Sequence, residues 1–395
     1  MSIHMFSHVN SMFQIKWLFH RFVILVCVCT ISACSAIRPD ESQDIRTQTP
    51  QEAVDPAQGP ISSGDTAETT DDNKHTVLAL SAGGADGAFG AGVLAGWTSH
   101  GTRPRFDVVT GVSTGALLSV YAFLGSEYDD LVRELYTNQT NDTIFRNRGL
   151  GGILSDSLYD NEPFKEQIEE NITPELLTKI AAEYDKGRRL YVATTNLDAG
   201  ELVIWDMGLI AKGGRTNPVQ HFQKVLRASA SVPGFFQPVY IKPKRGIQLR
   251  QAHVDGGVKE PVLYSNFMGN SALKERHLYM IINGTTRRFN ASTPVKANLA
   301  SIAQKTISEL IRELQRDTIY RHFIVAKETG INFYLTSIPD NIPIAQESLD
   351  FDPVRMRQLY RSGFEIGSKG IDFWSKVPPT ISQETRAASL GTVQQ

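Results

Sequence analysis

The sequence predicts an α/β domain with a mostly parallel central sheet flanked by helices. Short apolar runs of strand length alternate with longer segments of helical spacing, and the runs at 76–81 and 106–110 are each followed by a glycine-containing turn and a helix. Strand, turn and helix in succession favour parallel strands covered by crossover helices. With 395 residues, of which 41% are hydrophobic, the chain can bury such a core.

The alternation continues along the chain. Further strands are predicted at 190–195, 201–206, 239–241, 278–282 and 332–335. Helical spacing covers 88–99, 116–124, 219–229, 299–327 and 354–374. The stretch 299–314 is amphipathic, so we expect it to pack on the sheet, with a partner-binding or membrane-facing role as the alternative.

Charge and cysteine content exclude several classes of function. Lysine and arginine number 40 against 42 acidic residues, which argues against electrostatic capture of a nucleic acid. Cys27, Cys29 and Cys34 are the only cysteines, so the body of the chain has none for a disulfide framework or a cysteine zinc site.

Residues 1–33 have the order of a secretory signal peptide. Lys16 and Arg21 precede the apolar run 22–31, and small residues follow it before Cys34. The run is shorter than the roughly 20 apolar residues that a helix needs to span a bilayer, which makes a transmembrane anchor the weaker interpretation. A general signal peptide with an incidental cysteine, or a later start of translation, remains open.

The Ile-Ser-Ala-Cys sequence at 31–34 resembles the lipobox of bacterial lipoproteins. The resemblance implies that Cys34 becomes the lipidated first residue of the mature chain. Each methylene of its acyl chains that is buried in a membrane would contribute about 0.8 kcal/mol to the binding free energy. Ser35 stands where an aspartate would imply inner-membrane retention, so the outer membrane is favoured in a Gram-negative host. We therefore expect a lipid-anchored protein of the cell envelope.

The composition predicts four segments. Residues 34–74 are polar, contain several prolines and have almost no aromatic side chains, so they cannot offset their ordering entropy and should form a disordered tether with a reach of roughly 35 Å. The organisation is then a signal peptide at 1–33, this tether, one folded domain at 75–378 and a disordered tail at 379–395.

The Gly-Val-Ser-Thr-Gly sequence at 111–115 matches the G-x-S-x-G nucleophile elbow. A predicted strand precedes it and a predicted helix follows, which is the context in which this motif exposes a serine at the top of a sheet. Gly111 and Gly115 permit the strained turn that lifts the Ser113 hydroxyl clear of the strand. Ser113 is the candidate nucleophile, with a serine that only packs in a tight turn as the alternative.

A glycine-rich segment at 81–87 lies directly between the first strand and its helix. Adjacent glycines let backbone N–H groups point into one concavity and stabilise the oxyanion of a tetrahedral intermediate, so Gly83 and Gly84 are the candidate donors. A dinucleotide-binding G-x-G-x-x-G loop is the alternative. It is disfavoured because its first glycine is missing and Asp107 lies near the start of the second strand rather than at its end.

The Val-Asp-Gly-Gly sequence at 254–257 supplies a carboxylate after a short apolar segment. An aspartate hydrogen-bonded to the serine can take its proton and later activate the deacylating water, so Asp255 is the candidate base. Gly256 and Gly257 would allow close backbone approach. His253 would share a strand face with Asp255, although a packing role is favoured for it.

Together the three motifs resemble the patatin-like phospholipase family. The stretch 78–94, including Gly87, is similar to that family's oxyanion loop and first helix, and 227–238 is similar to its Ala-Ser-x-x-x-Pro-x-x-Phe-x-Pro segment. The resemblance spans roughly 77–284. It implies an α/β-hydrolase-related three-layer architecture, a Ser-Asp dyad without histidine, lipid acyl esters as substrates, and no metal or organic cofactor.

Two residues depart from the family's pattern. Ala82 stands where the family usually has its first glycine, and Asp86 where it usually has arginine or lysine. Because a carboxylate would oppose developing negative charge, we expect Asp86 to point away from the reacting centre or to favour neutral esters. The change leaves open a non-catalytic, membrane-tethered lipid-binding module. A Ser-Asp-His triad that uses His277 or His322 is a further alternative.

Overall fold

The computed structural model describes residues 53–54, 73–149, 155–213, 217–243, 250–269, 275–286, 294–295, 297–342 and 349–379. The predicted signal peptide, Cys34, most of the predicted tether and the tail after 379 lie outside the described residues.

Strands and helices alternate along most of the chain. The strands are β1 Ala53–Val54, β2 Lys74–Leu80, β3 Val108–Gly111, β4 Arg146–Asn147, β5 Tyr159–Asp160, β6 Arg189–Asn196, β7 Glu201–Asp206, β8 Val239–Ile241, β9 Gln251–Asp255, β10 Glu275–Ile282 and β11 Asn332–Ser337. The helices are α1 Gly87–His100, α2 Thr114–Leu124, α3 Asp129–Thr137, α4 Asn141–Ile144, α5 Glu162–Asn171, α6 Pro174–Asp185, α7 Met207–Lys212, α8 Pro218–Ser229, α9 Leu299–Glu328 and α10 Pro353–Gly367.

The main sheet is mixed and has a parallel centre. Strands β6, β3, β2, β10 and β11 lie side by side in this order, and each neighbouring pair is parallel. Antiparallel strands extend the sheet beyond β6: β7 and β9 both pair with β6, β1 pairs with β7, and β8 pairs with β9. The predicted mostly parallel sheet is therefore confirmed.

Helices cover both faces of this sheet. Leu78 and Leu80 of β2 belong to a core shared with α1, α2, α6 and α8, whereas Val77 and Ala79 face a second core that includes residues of α9. Alternate residues of a strand point to opposite faces, so the two cores lie on the two sides of the sheet. The result is the predicted three-layer architecture. Among the described helices, none combines the length and apolarity that crossing a membrane requires.

Several elements differ from the sequence predictions. Ala53–Val54, inside the predicted disordered tether, pairs with β7 as β1. The helix predicted over 354–374 ends at Gly367 instead, because Gly370 adopts a left-handed φ of +73° and redirects the chain into a short 3-10 turn. Helices α3, α5 and α6 lie where no helix was predicted.

Helices α1 and α10 meet at backbone contact distance. A Cβ atom built on Gly96 of α1 would lie 2.1 Å from the carbonyl oxygen of Phe364, and one built on Gly363 of α10 would lie 2.1 Å from that of Phe89. No side chain fits at either position. The two helices can approach this closely only because each presents glycine to the other.

We expect Gly363→Leu to lower the free energy of unfolding by about 3 kcal/mol or more, because the added side chain must push the helices apart. Urea unfolding of the purified protein measures this change. Arg361→Leu, on the exposed face of the same helix, is the matched control and should change stability by less than about 0.5 kcal/mol. Equal losses in the two variants would contradict the close packing.

Candidate active site

Ser113 occupies a strained turn between β3 and α2. Its φ of +56° and ψ of −125° make it the one non-glycine residue with positive φ in the described part of the chain. A Cβ atom on Gly111 would lie 2.3 Å from the carbonyl oxygen of Gly115, and one on Gly115 would lie 2.4 Å from that of Leu80. Both glycines are therefore sterically required, as expected of a nucleophile elbow.

The last residue of α8, Ser229, fixes the backbone of Ser113. Its N–H donates to the Ser229 hydroxyl at 3.0 Å, and that hydroxyl donates to the Ala193 carbonyl at 2.7 Å. Two residues further, the Ser231 carbonyl accepts the N–H of Asp255 at 2.8 Å. The end of α8 thus connects the elbow to β9, a positioning role that no sequence motif marks.

Asp255 lies near Ser113 because β3 and β9 pair with successive parts of the same edge of β6. Strand β3 pairs with β6 as far as Gly111 and Val192, and two residues further along β6 Thr194 pairs with Asp255 at the end of β9. Strand β9 therefore takes the edge that β3 leaves, about 7 Å beyond the last β3 pair. This change of pairing partner along β6 places the Asp255 carboxylate beside the elbow, although Asp255 and Ser113 are far apart in the chain.

The Asp255 carboxyl is buried and accepts two hydrogen bonds. Burial raises its pKa to about 7, while hydrogen bonds from the Ser113 hydroxyl and from the Gly257 N–H, the latter 2.7 Å from Oδ1, lower it. A carboxylate that titrates near neutral pH and contacts a serine hydroxyl has the properties of a general base.

The raised pKa also predicts how Asp255 affects stability. The native state holds this proton more tightly than the unfolded chain does, so ionising Asp255 costs stability as the pH rises from 3.8 to about 7. We expect Asp255→Asn to be more stable than the natural protein at pH 8, by on the order of 1 kcal/mol or more, and this advantage to shrink at pH 5. Melting temperatures at the two pH values measure it. A variant that is less stable at pH 8 would contradict the pKa assignment.

Gly83 and Gly84 follow β2 and face the same cleft as Ser113 and Asp255. Neither of their N–H groups donates a hydrogen bond to another residue within the described ranges. Gly84 has a left-handed φ of +58°, and a Cβ atom on Gly83 would lie 2.1 Å from the carbonyl oxygen of Asn283. The loop therefore presents two adjacent amides where an oxyanion could bind.

A buried polar network fixes this loop. The Ser81 hydroxyl accepts hydrogen bonds from the Asn283 N–H and from the Gln315 side-chain amide, both at 2.8 Å. Asn283 Nδ2 donates to the Ser81 carbonyl at 2.9 Å. Strand β10 and helix α9 thus hold the loop from two directions. No local sequence pattern marks either partner, because both are 200 or more residues away from the loop.

The remaining motif glycines lie at close contacts around the same point. Gly87 is packed against the Thr114 side chain, so α1 and the start of α2 touch there. Gly256 is packed against the Ala193 carbonyl, and Gly257 lies beside the Asp255 carboxylate.

A large, mainly apolar cleft opens at this site. It contains about 1550 Å³ of empty space, part of it open to solvent. Its apolar lining comes from the helices after the elbow, from the segment after α8 and from the C-terminal part of the chain: Leu117, Leu135, Ile144, Phe164, Ile168, Ile172, Val232, Phe235, Phe236, Leu349, Phe351 and Met356. Such a lining fits hydrocarbon chains.

A family model for patatin-like phospholipases matches residues 78–268. This span belongs to the patatin-like phospholipase family. It contains the glycine-rich loop, the elbow and Asp255. Among solved structures, the chain is similar to VipD from Legionella pneumophila, with 13% sequence identity and a TM-score of 0.41 over 84% of this chain and 71% of that chain. No curated protein matches the sequence.

Asp86, which departs from the family's pattern, lies at the cleft of the patatin-like domain. It is 4% exposed and lines the cleft together with Ser113. It lies at the N-terminus of α1, where the helix dipole favours a negative charge. Its carboxyl group therefore lies beside the oxyanion loop, and both expectations for Asp86, an orientation away from the reacting centre and a preference for neutral esters, stay predictions.

We expect Asp86→Asn, which removes this charge with little change in shape, to raise kcat/KM for ester hydrolysis by about threefold to tenfold, since a nearby like charge costs the oxyanion on the order of 1 kcal/mol. Steady-state kinetics with a neutral chromogenic ester measure the change. Asp142→Asn, which removes an exposed carboxylate elsewhere, is the control. An unchanged or lower rate in Asp86→Asn would show that the charge does not act on the reacting centre.

No histidine lines this cleft among the described residues. His253 is fully buried in β9, where its Nδ1 lies 2.9 Å from the Thr194 hydroxyl and burial lowers its pKa to about 3. His277 stacks with Tyr279 on β10, and His322 of α9 hydrogen-bonds the Val262 carbonyl. These positions favour the dyad over a triad.

Proposed function

We propose that the patatin-like domain is a serine hydrolase that cleaves acyl esters of lipids with a Ser113–Asp255 dyad. The observation that carries the proposal is the contact of a strained serine hydroxyl with a buried carboxyl at the edge of an apolar cleft. The family match supports lipid acyl hydrolase activity in general.

In the first half of the reaction, Ser113 Oγ attacks the ester carbonyl carbon and Asp255 takes the hydroxyl proton. The carbonyl oxygen becomes negative and accepts hydrogen bonds from the N–H groups of Gly83 and Gly84. The intermediate then collapses, the ester C–O bond breaks, and Asp255 returns the proton to the departing alkoxide. The acyl group remains on Ser113.

In the second half, Asp255 takes a proton from a water molecule that attacks the acyl-enzyme carbonyl carbon. The same two amides receive the new oxyanion. The bond to Ser113 breaks, Ser113 Oγ regains the proton from Asp255, and a fatty acid leaves.

Lipid analysis tests this function. Purified protein is incubated with a total lipid extract, and fatty acids and lyso-lipids are quantified for the natural protein and for Ser113→Ala. The proposal requires their release by the natural protein and its loss in the variant. A second candidate, a lipid-binding module without turnover, is favoured by Asp86 in the cleft. It predicts that both proteins bind lipid and that neither releases fatty acid.

The membrane tether is part of the proposal. A lipidated Cys34 would hold the domain at a membrane of the cell envelope, where its substrates lie. Incorporation of labelled palmitate by the natural protein and not by Cys34→Ser is the expected result. Equal incorporation in the two would refute lipidation at this residue.

A further inference from the structure

The two walls of the cleft differ in polarity. Helix α9, which packs on one face, contributes mostly polar cleft residues, together with two isoleucines: Gln304, Ser308, Arg312 and Gln315, with Ile307 and Ile311. The wall formed by α3 to α5 and by the segment after α8 is mainly apolar. A cleft built in this way suits a molecule with a polar head and an apolar chain.

Arg312 is the one basic side chain among the described residues that line the cleft. Its neighbours on α9 fix its place relative to the reacting groups. Gln315, one helical turn later, donates to Ser81 of the oxyanion loop at 2.8 Å. Ile311 lies against Gly257, where a Cβ atom would be 3.6 Å from Ile311 Cγ2. Arg312 is thus within one turn of contacts to the loop and to Gly257, whose N–H donates to Asp255.

An anionic group in the cleft meets two acidic residues, Asp86 and Asp255, and one basic residue, Arg312, among the described lining residues. Asp86, at the start of α1, would repel it. Arg312 would attract it from α9, where its Nη1 also donates to Glu309 Oε1 at 3.0 Å. An anion in this cleft should therefore lie on the α9 side.

We infer that Arg312 binds the phosphodiester group of a phospholipid whose acyl ester lies at Ser113, and so sets the preference for phospholipids over neutral glycerolipids. The inference rests on the proposed function. In a glycerophospholipid the phosphate is only a few bonds from the ester carbonyl, and arginine recognises phosphate through charge-assisted hydrogen bonds. Arg312 acts on the affinity and orientation of the substrate, and Ser113 and Asp255 carry out the chemistry.

Ligand binding tests this role without turnover. Full-length Ser113→Ala is titrated with dihexanoylphosphatidylglycerol and with dihexanoylglycerol, which share acyl chains and differ in the phosphodiester head group. Adding Arg312→Gln should weaken phospholipid binding by about tenfold or more and leave diacylglycerol binding unchanged. Arg312→Lys, which keeps the charge but not the fork of donors, should retain part of the affinity.

Arg316→Gln is the matched control. Arg316 lies one turn further along α9 and also pairs with an acid three residues earlier, Glu313, but it does not line the cleft. It should alter the binding of neither ligand. Equal loss of both ligands in Arg312→Gln, or undiminished phospholipid binding, would overturn the inference. If the protein with Ser113 hydrolyses neither lipid while Arg312 still governs phospholipid binding, the proposed function fails and the role of Arg312 stands.

Discussion

Ser113→Ala should lower kcat for ester hydrolysis by about four orders of magnitude or more, because no acyl-enzyme can form without the hydroxyl. Ser113 lies at the one strained non-glycine position in the described residues, and its hydroxyl contacts Asp255. Steady-state kinetics with a short-chain ester measure the loss, and circular dichroism checks that the fold is kept.

The matched control is Ser119→Ala, on the helix α2 that follows Ser113. Ser119 is also buried, but its hydroxyl donates to the Ala116 carbonyl and does not line the cleft. This variant should keep the activity of the natural protein. If the two variants had equal activity, Ser113 would not be the nucleophile.

Asp255→Asn should lower kcat by about three to four orders of magnitude, since the amide cannot take the serine proton. It keeps the shape of the carboxylate and can still accept the Gly257 N–H, so the fold should be retained.

In the natural protein, kcat/KM should rise with pH and level off above about pH 7, because Asp255 must be ionised to act and its pKa is raised to about 7.

Histidine substitutions separate the dyad from a triad. His253→Gln, His277→Gln and His322→Gln should each retain ester hydrolysis, since none of the three lines the cleft. A loss of several orders of magnitude in a well-folded histidine variant would indicate a triad and refute the dyad.

Local patterns in the sequence predicted the parts of the site that local structure creates. The turn at Ser113 is set by the glycines on either side of it, and the loop at Gly83 and Gly84 follows directly from a buried strand. These features need only a strand, a turn and a helix in order. For this reason the elbow, the loop and the parallel centre of the sheet could be predicted without knowledge of distant contacts.

The remaining parts depend on contacts between distant segments. Asp255 lies near Ser113 because β9 pairs with β6 beyond the end of β3. The resemblance to the patatin-like family, and not the periodicity of the sequence, indicated that the two residues act together. Gln315 and Ser229 support the site through single hydrogen bonds that no sequence pattern marks. Helices α3 and α5 were missed because they are short and mainly polar, although each contributes side chains to the apolar wall.

The reaction of Ser113 with a fluorophosphonate probe tests the central claim most directly. Peptide mass spectrometry identifies the labelled residue, and the rate of labelling is followed from pH 5 to 9. We predict covalent labelling at Ser113, at a rate that rises with an apparent pKa of about 7 and collapses in Asp255→Asn. Failure of Ser113 to label, or labelling that is as fast in Asp255→Asn as in the natural protein, would contradict a serine activated by this aspartate.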